Sequence, residues 1–172
     1  MKILIAILLT ALTGWGQRVS RTASITLNGN VKTVFPLFGA YEEKKWSTGW
    51  KPTPVYPDTE TIQEEATFTT PGHLDGEKDY VWRVSKYNPM QYLIQYMVYG
   101  ENRCWTITIQ CNPKTESRTA ARITYSFIGL NAPGDQINQH FIDHIYKEDL
   151  KDWEQEINSF LSRSLTSDPD KS

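Results

Sequence analysis

The run from Gln63 to Leu130 constrains the fold of this chain more than any other feature. Five stretches within it alternate apolar and polar residues with period two: Gln63–Thr69, Asp79–Tyr87, Gln91–Tyr99, Arg103–Cys111 and Ser117–Leu130. Side chains on a strand point alternately to opposite faces, so each stretch reads as a half-buried β-strand. Pro71–Gly76, Asn88-Pro89, Gly100–Asn102 and Asn112–Lys114 supply turn chemistry between them. Connections this short force antiparallel neighbours, so the run predicts a meander with one apolar face. Tyr80, Trp82, Tyr92, Tyr96, Trp105, Tyr125 and Phe127 fall on that face by parity.

An apolar face needs a cover. Tyr146 to Leu165 carries Leu150, Trp153, Ile157, Phe160 and Leu161 at helical spacing, an amphipathic stripe. Roughly twenty residues at 1.5 Å each give a helix of about 30 Å, enough to cross the sheet. Ahead of the meander, Arg18 to Leu27 alternates and reads as a further strand. Asn30 then caps a helix carrying Val31, Val34, Phe35 and Phe38, which Pro36 should kink or end. A second short helix is expected from Ala40 to Trp46. The three prolines Pro52, Pro54 and Pro57 leave room only for a short edge strand around Val55.

The first residues belong to a different category. Met1-Lys2 followed by the apolar run Ile3–Leu12 has the form of a secretory signal, with Gly14 and Gly16 at the small-residue positions before a cut. The run is too short for a membrane span, which needs ~20 apolar residues. The chain therefore divides into a signal peptide at 1–16, a single domain at 17–165 and a polar tail at 166–172. The expected location is extracytoplasmic, periplasmic or secreted, with no stable transmembrane span once the signal is removed. A net charge of −2 over 172 residues gives no basic footprint for nucleic acid.

Cys104 and Cys111 lie in one strand-like segment. Seven extended residues span about 23 Å, whereas a disulfide needs Cα atoms within ~7 Å. The odd spacing also sends them to opposite faces, so two free thiols are expected.

The order strand, two short helices, antiparallel strands and a long amphipathic helix resembles the helix-grip arrangement of the START-like, or SRPBCC, superfamily of polyketide cyclases and lipid carriers. Phe35-Pro36-Leu37-Phe38, then Glu43, Trp46 and Gly49-Trp50, resemble a motif of bacterial and archaeal members. Ala66–Thr70, Trp82–Pro89, Arg122–Leu130 and Gly134 agree in order. The resemblance spans about Val19 to Leu161. It implies an α+β fold, a curved antiparallel sheet wrapped around a long C-terminal helix, with a hydrophobic cavity between them. It implies no particular reaction, and an export signal departs from the many cytoplasmic members.

Catalytic signatures are absent from the sequence. His140 and His144 are spaced i, i+4, but the stretch between them lacks the glutamate of a metalloprotease pair. They read as solvent-exposed residues near the start of the helix, and His73 as a turn residue. Glu64-Glu65 would point to opposite faces of a strand and could not act together. No catalytic residue, metal ligand or cofactor is assigned. The expected ligand-binding set is Tyr80, Trp82, Tyr96, Trp105, Tyr125, Phe127 and Trp153, with Tyr96 and Tyr125 as the polar contacts. The expected function is an exported binding protein for a hydrophobic or amphipathic small molecule, lipid-like or aromatic. A cyclase or dehydratase-like enzyme acting on such a ligand is the alternative.

Overall fold

A computed structural model of the chain describes residues 16–72 and 78–166. Residues 1–15 of the segment read as a signal peptide, His73 and most of the polar tail lie outside the described residues. Seven antiparallel strands form one open, curved sheet: β1 (Arg18–Leu27), β2 (Thr53–Tyr56), β3 (Thr67–Thr70), β4 (Tyr80–Asn88), β5 (Leu93–Tyr99), β6 (Arg103–Thr115) and β7 (Arg118–Gly129). Their spatial order is β1-β7-β6-β5-β4-β3-β2. The meander is thus continuous from β2 to β7, and β1 closes its far side by pairing with β7 from Arg18↔Ile128 to Leu27↔Thr119.

Period-two burial is clearest in β6, where Arg103, Trp105, Ile107, Ile109 and Cys111 are buried and the residues between them are not. Cys111 accordingly faces inward and Cys104 outward, and both thiols are free. Burial pushes Cys111 up to about 12 and also raises Cys104, so neither is poised as a thiolate nucleophile.

Several boundaries differ from the sequence reading, each for a local reason. β6 continues through Asn112 and Pro113, because a register shift between Pro113 and Thr115 absorbs the proline, which lacks a ladder donor. β3 begins only at Thr67: Glu64 and Glu65 form a turn, with Glu65 at φ 70°. That turn places the Glu65 carboxylate 2.5 Å from Arg83 Nη2, and Glu64 accepts from the Tyr87 backbone N–H at 3.1 Å. Tyr92 precedes β5 with φ 53° and packs edge-on against Phe35, so it belongs to a turn rather than to the strand parity.

Behind β1, Asn30 caps α1 (Val31–Val34) by accepting from Thr33 N–H at 3.0 Å. Pro36 ends this helix after one turn, and the chain tightens into a 3₁₀ turn at Phe35–Phe38. The second expected helix is only a 3₁₀ turn at Glu43–Lys45.

The largest correction concerns the C-terminal helix, which starts at Ala132 rather than at Tyr146. It comprises α2 (Ala132–His144), a π-helical turn (Ile145–Asp149) and α3 (Leu150–Thr166). The Pro133-Gly134 pair resembles a loop in sequence, yet proline is tolerated in a first helical turn. Asn131 caps that turn by accepting from Gly134 N–H at 2.9 Å. Gly134 serves a close approach: a Cβ there would lie 1.9 Å from the carbonyl oxygen of Asn102.

The helix is tied down along its length. Glu154 accepts from Thr26 N–H at 2.8 Å, and Asn158 both accepts from Asn28 N–H and donates to Thr26 O. The Tyr146 hydroxyl donates to the Arg21 carbonyl and accepts from Tyr125 N–H, reaching across the seam of β1 and β7.

Candidate functional site

The sheet and the helix do not meet evenly. Toward the Leu27 end of β1, the space is filled by Leu27, Val34, Ala121, Ile123 and Ile157, all fully buried. Toward the Arg103 end they diverge around a cavity of about 360 Å³, within the size range of small-molecule sites.

The sheet supplies a belt of rings. Phe68, Trp82, Trp105 and Phe127 come from four strands that hydrogen-bond as neighbours or near-neighbours, and each lines the cavity. Phe68 stacks on Trp82 with centroids 5.6 Å apart, Trp82 meets Trp105 edge-on, and Trp105 tilts against Phe127. Such edge and stacked contacts hold the rings in fixed orientations. The next row inward carries Tyr125, Ile107 and Tyr96.

The helix contributes Phe141, Ile145, Asp149 and Trp153 to the opposite wall. Each four-residue step overshoots an α-helical turn by roughly 40°, so three such steps would carry the stripe away from the cavity. The π-helical turn at Ile145–Asp149 lies in the middle of this stripe, and its wider pitch takes back part of the drift.

The roof is the segment between α1 and β2. Trp46 Nε1 donates to Leu37 O at 2.8 Å and Trp50 Nε1 donates to Ala40 O at 2.6 Å, so two indoles stitch this irregular stretch to its own backbone. Gly49 sits at φ 88°, a conformation that favours glycine and delivers Trp50 to the cavity wall. Trp46 packs inward against Trp153, at 5.8 Å between centroids. The two tryptophans of the motif therefore differ: Trp46 packs, and Trp50 lines.

The same segment carries Glu43, which sequence reasoning placed only in a family motif. Its carboxyl lines the cavity, and among the described residues no side chain or backbone group donates a hydrogen bond to it. It keeps some accessible surface, as a cavity-lining group must. Protein nevertheless surrounds it closely enough that burial, reinforced by the negative charge of Glu156, pushes it up to about 8. At neutral pH this carboxyl is mostly in the acid form.

The two tyrosines expected to make polar contacts divide in the same way. Tyr96 donates its hydroxyl hydrogen to Phe38 O at 2.9 Å, a buried structural bond. The Tyr125 hydroxyl has no partner among the described residues, although Tyr125 is only 7% exposed and lines the cavity. Desolvation, then the charge of Glu43, holds both phenols well above their ordinary value, and Asp149 adds to the effect on Tyr125. The acid and both phenols line the same cavity.

At the other end lies Arg103, 1% exposed. Its guanidinium stacks over Phe141 at 4.1 Å and over Trp105 at 4.9 Å, and Nη2 donates to the Tyr80 hydroxyl at 3.2 Å. Four strand residues separate Arg103 from the Ile107 row, or about 13 Å at 3.3 Å per residue. The cavity thus has a cationic end, an aromatic belt and a carboxyl end.

Of the seven residues expected to bind ligand, Trp82, Tyr96, Trp105, Tyr125, Phe127 and Trp153 line this space. Tyr80 shares their face but lies behind Trp105, at 5.0 Å between centroids, where it supports Arg103. His140 is exposed on α2. His144 is half exposed yet belongs to the cavity rim, its ring nitrogens each 3.3 Å from a carboxylate, Glu148 and Asp149. Both histidines lie well inside the helix because the helix starts earlier than expected. Among the described residues no group of three or more histidines, cysteines and carboxylates is arranged to hold a metal ion.

A second hollow, of about 300 Å³, lies between Phe35, Tyr41, Ile62 and Tyr87. Its two carboxylates, Glu42 and Glu60, are already engaged by Lys45 and Lys44.

No family model and no curated protein matches this sequence. Solved structures do share the fold. The aromatase/cyclase Zhui of a Streptomyces species superposes with a TM-score of 0.66 at 9% identity, covering 89% of this chain and 99% of that one. Norcoclaurine synthase from Thalictrum flavum gives 0.64 at 9% identity, covering 94% and 98%. A conserved protein from Geobacillus kaustophilus gives 0.60 at 19% identity, covering 85% and 97%. The architecture these proteins share with the chain is the helix-grip α+β fold, a curved antiparallel sheet around a long C-terminal helix.

Proposed function

We propose that this chain is an exported carrier for a hydrophobic or amphipathic small molecule, held between the sheet and the C-terminal helix. The observation that carries this reading is the cavity itself: about 360 Å³ walled by tryptophan, phenylalanine and tyrosine rings, with few polar groups at defined positions. Apolar walls supply affinity by removing ligand surface from water, and the few polar groups fix orientation. Lipid-like and aromatic molecules both satisfy this pattern. The positively charged start and apolar run of residues 1–12 support export.

A second reading has one observation in its favour. A carboxyl held near neutral pH beside two phenols is competent for acid–base chemistry. Two proteins of the same fold are a synthase and an aromatase/cyclase by name, so a cyclase-like enzyme acting in the same cavity is the alternative.

Native mass spectrometry of protein isolated from its source separates the two. A carrier retains one unmodified small molecule in stoichiometric amount. Conversion of that molecule by the purified protein, lost in the Glu43→Gln variant, would replace the carrier reading with the enzyme.

A further inference from the structure

The carboxyl end of the cavity has a consistent chemical character. Glu43 from the roof, Tyr125 from β7 and Asp149 from the π-helical turn all line it, and each presents oxygen. Tyr125 and Asp149 are brought to the same side of it by the helix, since the Tyr146 hydroxyl, three residues before Asp149, accepts from the Tyr125 backbone N–H. Neither the Glu43 carboxyl nor the Tyr125 hydroxyl has a hydrogen-bond partner among the described residues, although Tyr125 is only 7% exposed. The Tyr125 hydroxyl is open to the cavity, where a polar group held there can complete its hydrogen bonding.

The charged groups facing this corner are mostly negative. Glu156 of α3 acts on Glu43, and Asp149 acts on Tyr125. Tyr96 of β5 has already committed its hydrogen to Phe38 O. Of the three lysines on the roof segment, Lys44 and Lys45 turn outward to Glu60 and Glu42, and Lys51 is exposed. His144 stands at the rim between Glu148 and Asp149, and it adds a positive charge there only when protonated. The cationic Arg103 lies beyond the aromatic belt.

We propose that this corner takes the protonated amine of an apolar or aromatic primary amine, with Glu43 as its counter-ion and Tyr125 and Asp149 as further acceptors. The proposal rests on the cavity being a ligand site. An ammonium group carries three donors and no acceptor, which complements three oxygens. The rings of Trp50, Trp153 and the belt line the same cavity, and an aromatic face is favourable to a cation. The remainder of the ligand lies along the belt toward Arg103.

This assignment has a signature that simple hydrophobic binding lacks. Glu43 is mostly in its acid form at pH 7, so arrival of a cation favours ionisation and sends its proton to solvent. The test compares naphthylmethylamine with its neutral counterpart naphthylmethanol by titration calorimetry at pH 7, in buffers of different ionisation enthalpy.

The amine is expected to bind at least tenfold more tightly than the alcohol, releasing close to one proton per ligand. In Glu43→Gln, a neutral near-isostere of the acid form, the preference for the amine and the proton release should both vanish. A wild-type protein that binds the alcohol but shows no amine preference, or binds the amine without releasing a proton, overturns the proposal and leaves the carrier reading intact. Failure to bind either compound counts against both. The wild-type proton count does not depend on any variant folding.

Discussion

The two ends of the space between sheet and helix are built on the same strands with the same parity, yet one is solid and the other hollow. At the solid end, aliphatic residues of β1, β7, α1 and α3 interdigitate so closely that a Cβ on Gly29 would meet Val34 at 3.0 Å and Leu161 at 3.5 Å. At the hollow end, the side chains are large, flat and mutually braced. Rings locked edge to face against one another cannot collapse into the middle as flexible aliphatic chains would. The roof is likewise fixed by two indole hydrogen bonds, and the helix wall by a π-helical turn. The comparison teaches that a cavity in this fold is held open by rigidity at its margins rather than by a shortage of side-chain volume.

The most severe test of the solid end is truncation. Ile157→Ala should destabilise the protein by ~2–5 kcal/mol, because Ile157 is fully buried and its neighbours leave little room to relax. Denaturant titration measures this, and a loss below ~1 kcal/mol would mean that the end is not close-packed.

Adding volume separates the two ends directly. Ile123→Phe overpacks the solid end and should cost ~1–3 kcal/mol. Ile107→Phe points into the cavity and should cost less than ~1 kcal/mol, since the added ring finds existing space. Equal penalties at the two sites would erase the distinction.

The carboxyl corner predicts a pH dependence. The folded value of Glu43, about 8, lies above the ordinary value of 4.5, so between these limits the native state holds more protons than the unfolded one. Stability contributed at this site is therefore greatest at low pH and falls as pH rises through that window. Glu43→Gln removes the effect, so the variant should gain on the wild type as pH increases. The gain should reach on the order of 2 kcal/mol by pH 8, below the full linkage value because cavity water solvates part of the charge. At this chain length it corresponds to roughly 4–8 °C in Tm. A constant difference between pH 5 and pH 8 would contradict the burial of this carboxyl.

The smallest expected effects distinguish the two phenols. Tyr96→Phe strands the Phe38 carbonyl and should cost about 1 kcal/mol. Tyr125→Phe removes a hydroxyl with no described partner and should leave thermal stability within ~0.5 kcal/mol, while weakening the ligand. Reversed costs would reassign which hydroxyl is structural.

The sequence made the sheet legible because period two is unambiguous over long strands such as β6 and β7. It revealed which face each ring occupies, and could not reveal depth: Tyr80 and Trp82 share a parity, but one supports Arg103 while the other lines the cavity. Pro133-Gly134 concealed the start of the long helix, since those residues announce a loop unless the carbonyl of Asn102 is known to lie against Gly134. Glu43 was visible only as a motif residue. Its segment has neither helical nor strand periodicity, so nothing local indicates that its carboxyl turns inward.

The central claim is that the hollow end is a ligand site rather than a packing defect. Fluorescence titration with the apolar dye Nile red, on wild-type protein and on folded Ile107→Phe, tests it most directly. Saturable one-to-one binding to the wild type, weakened at least tenfold by filling the cavity, is the result expected. Absence of saturable binding, or equal binding by both proteins, would contradict it.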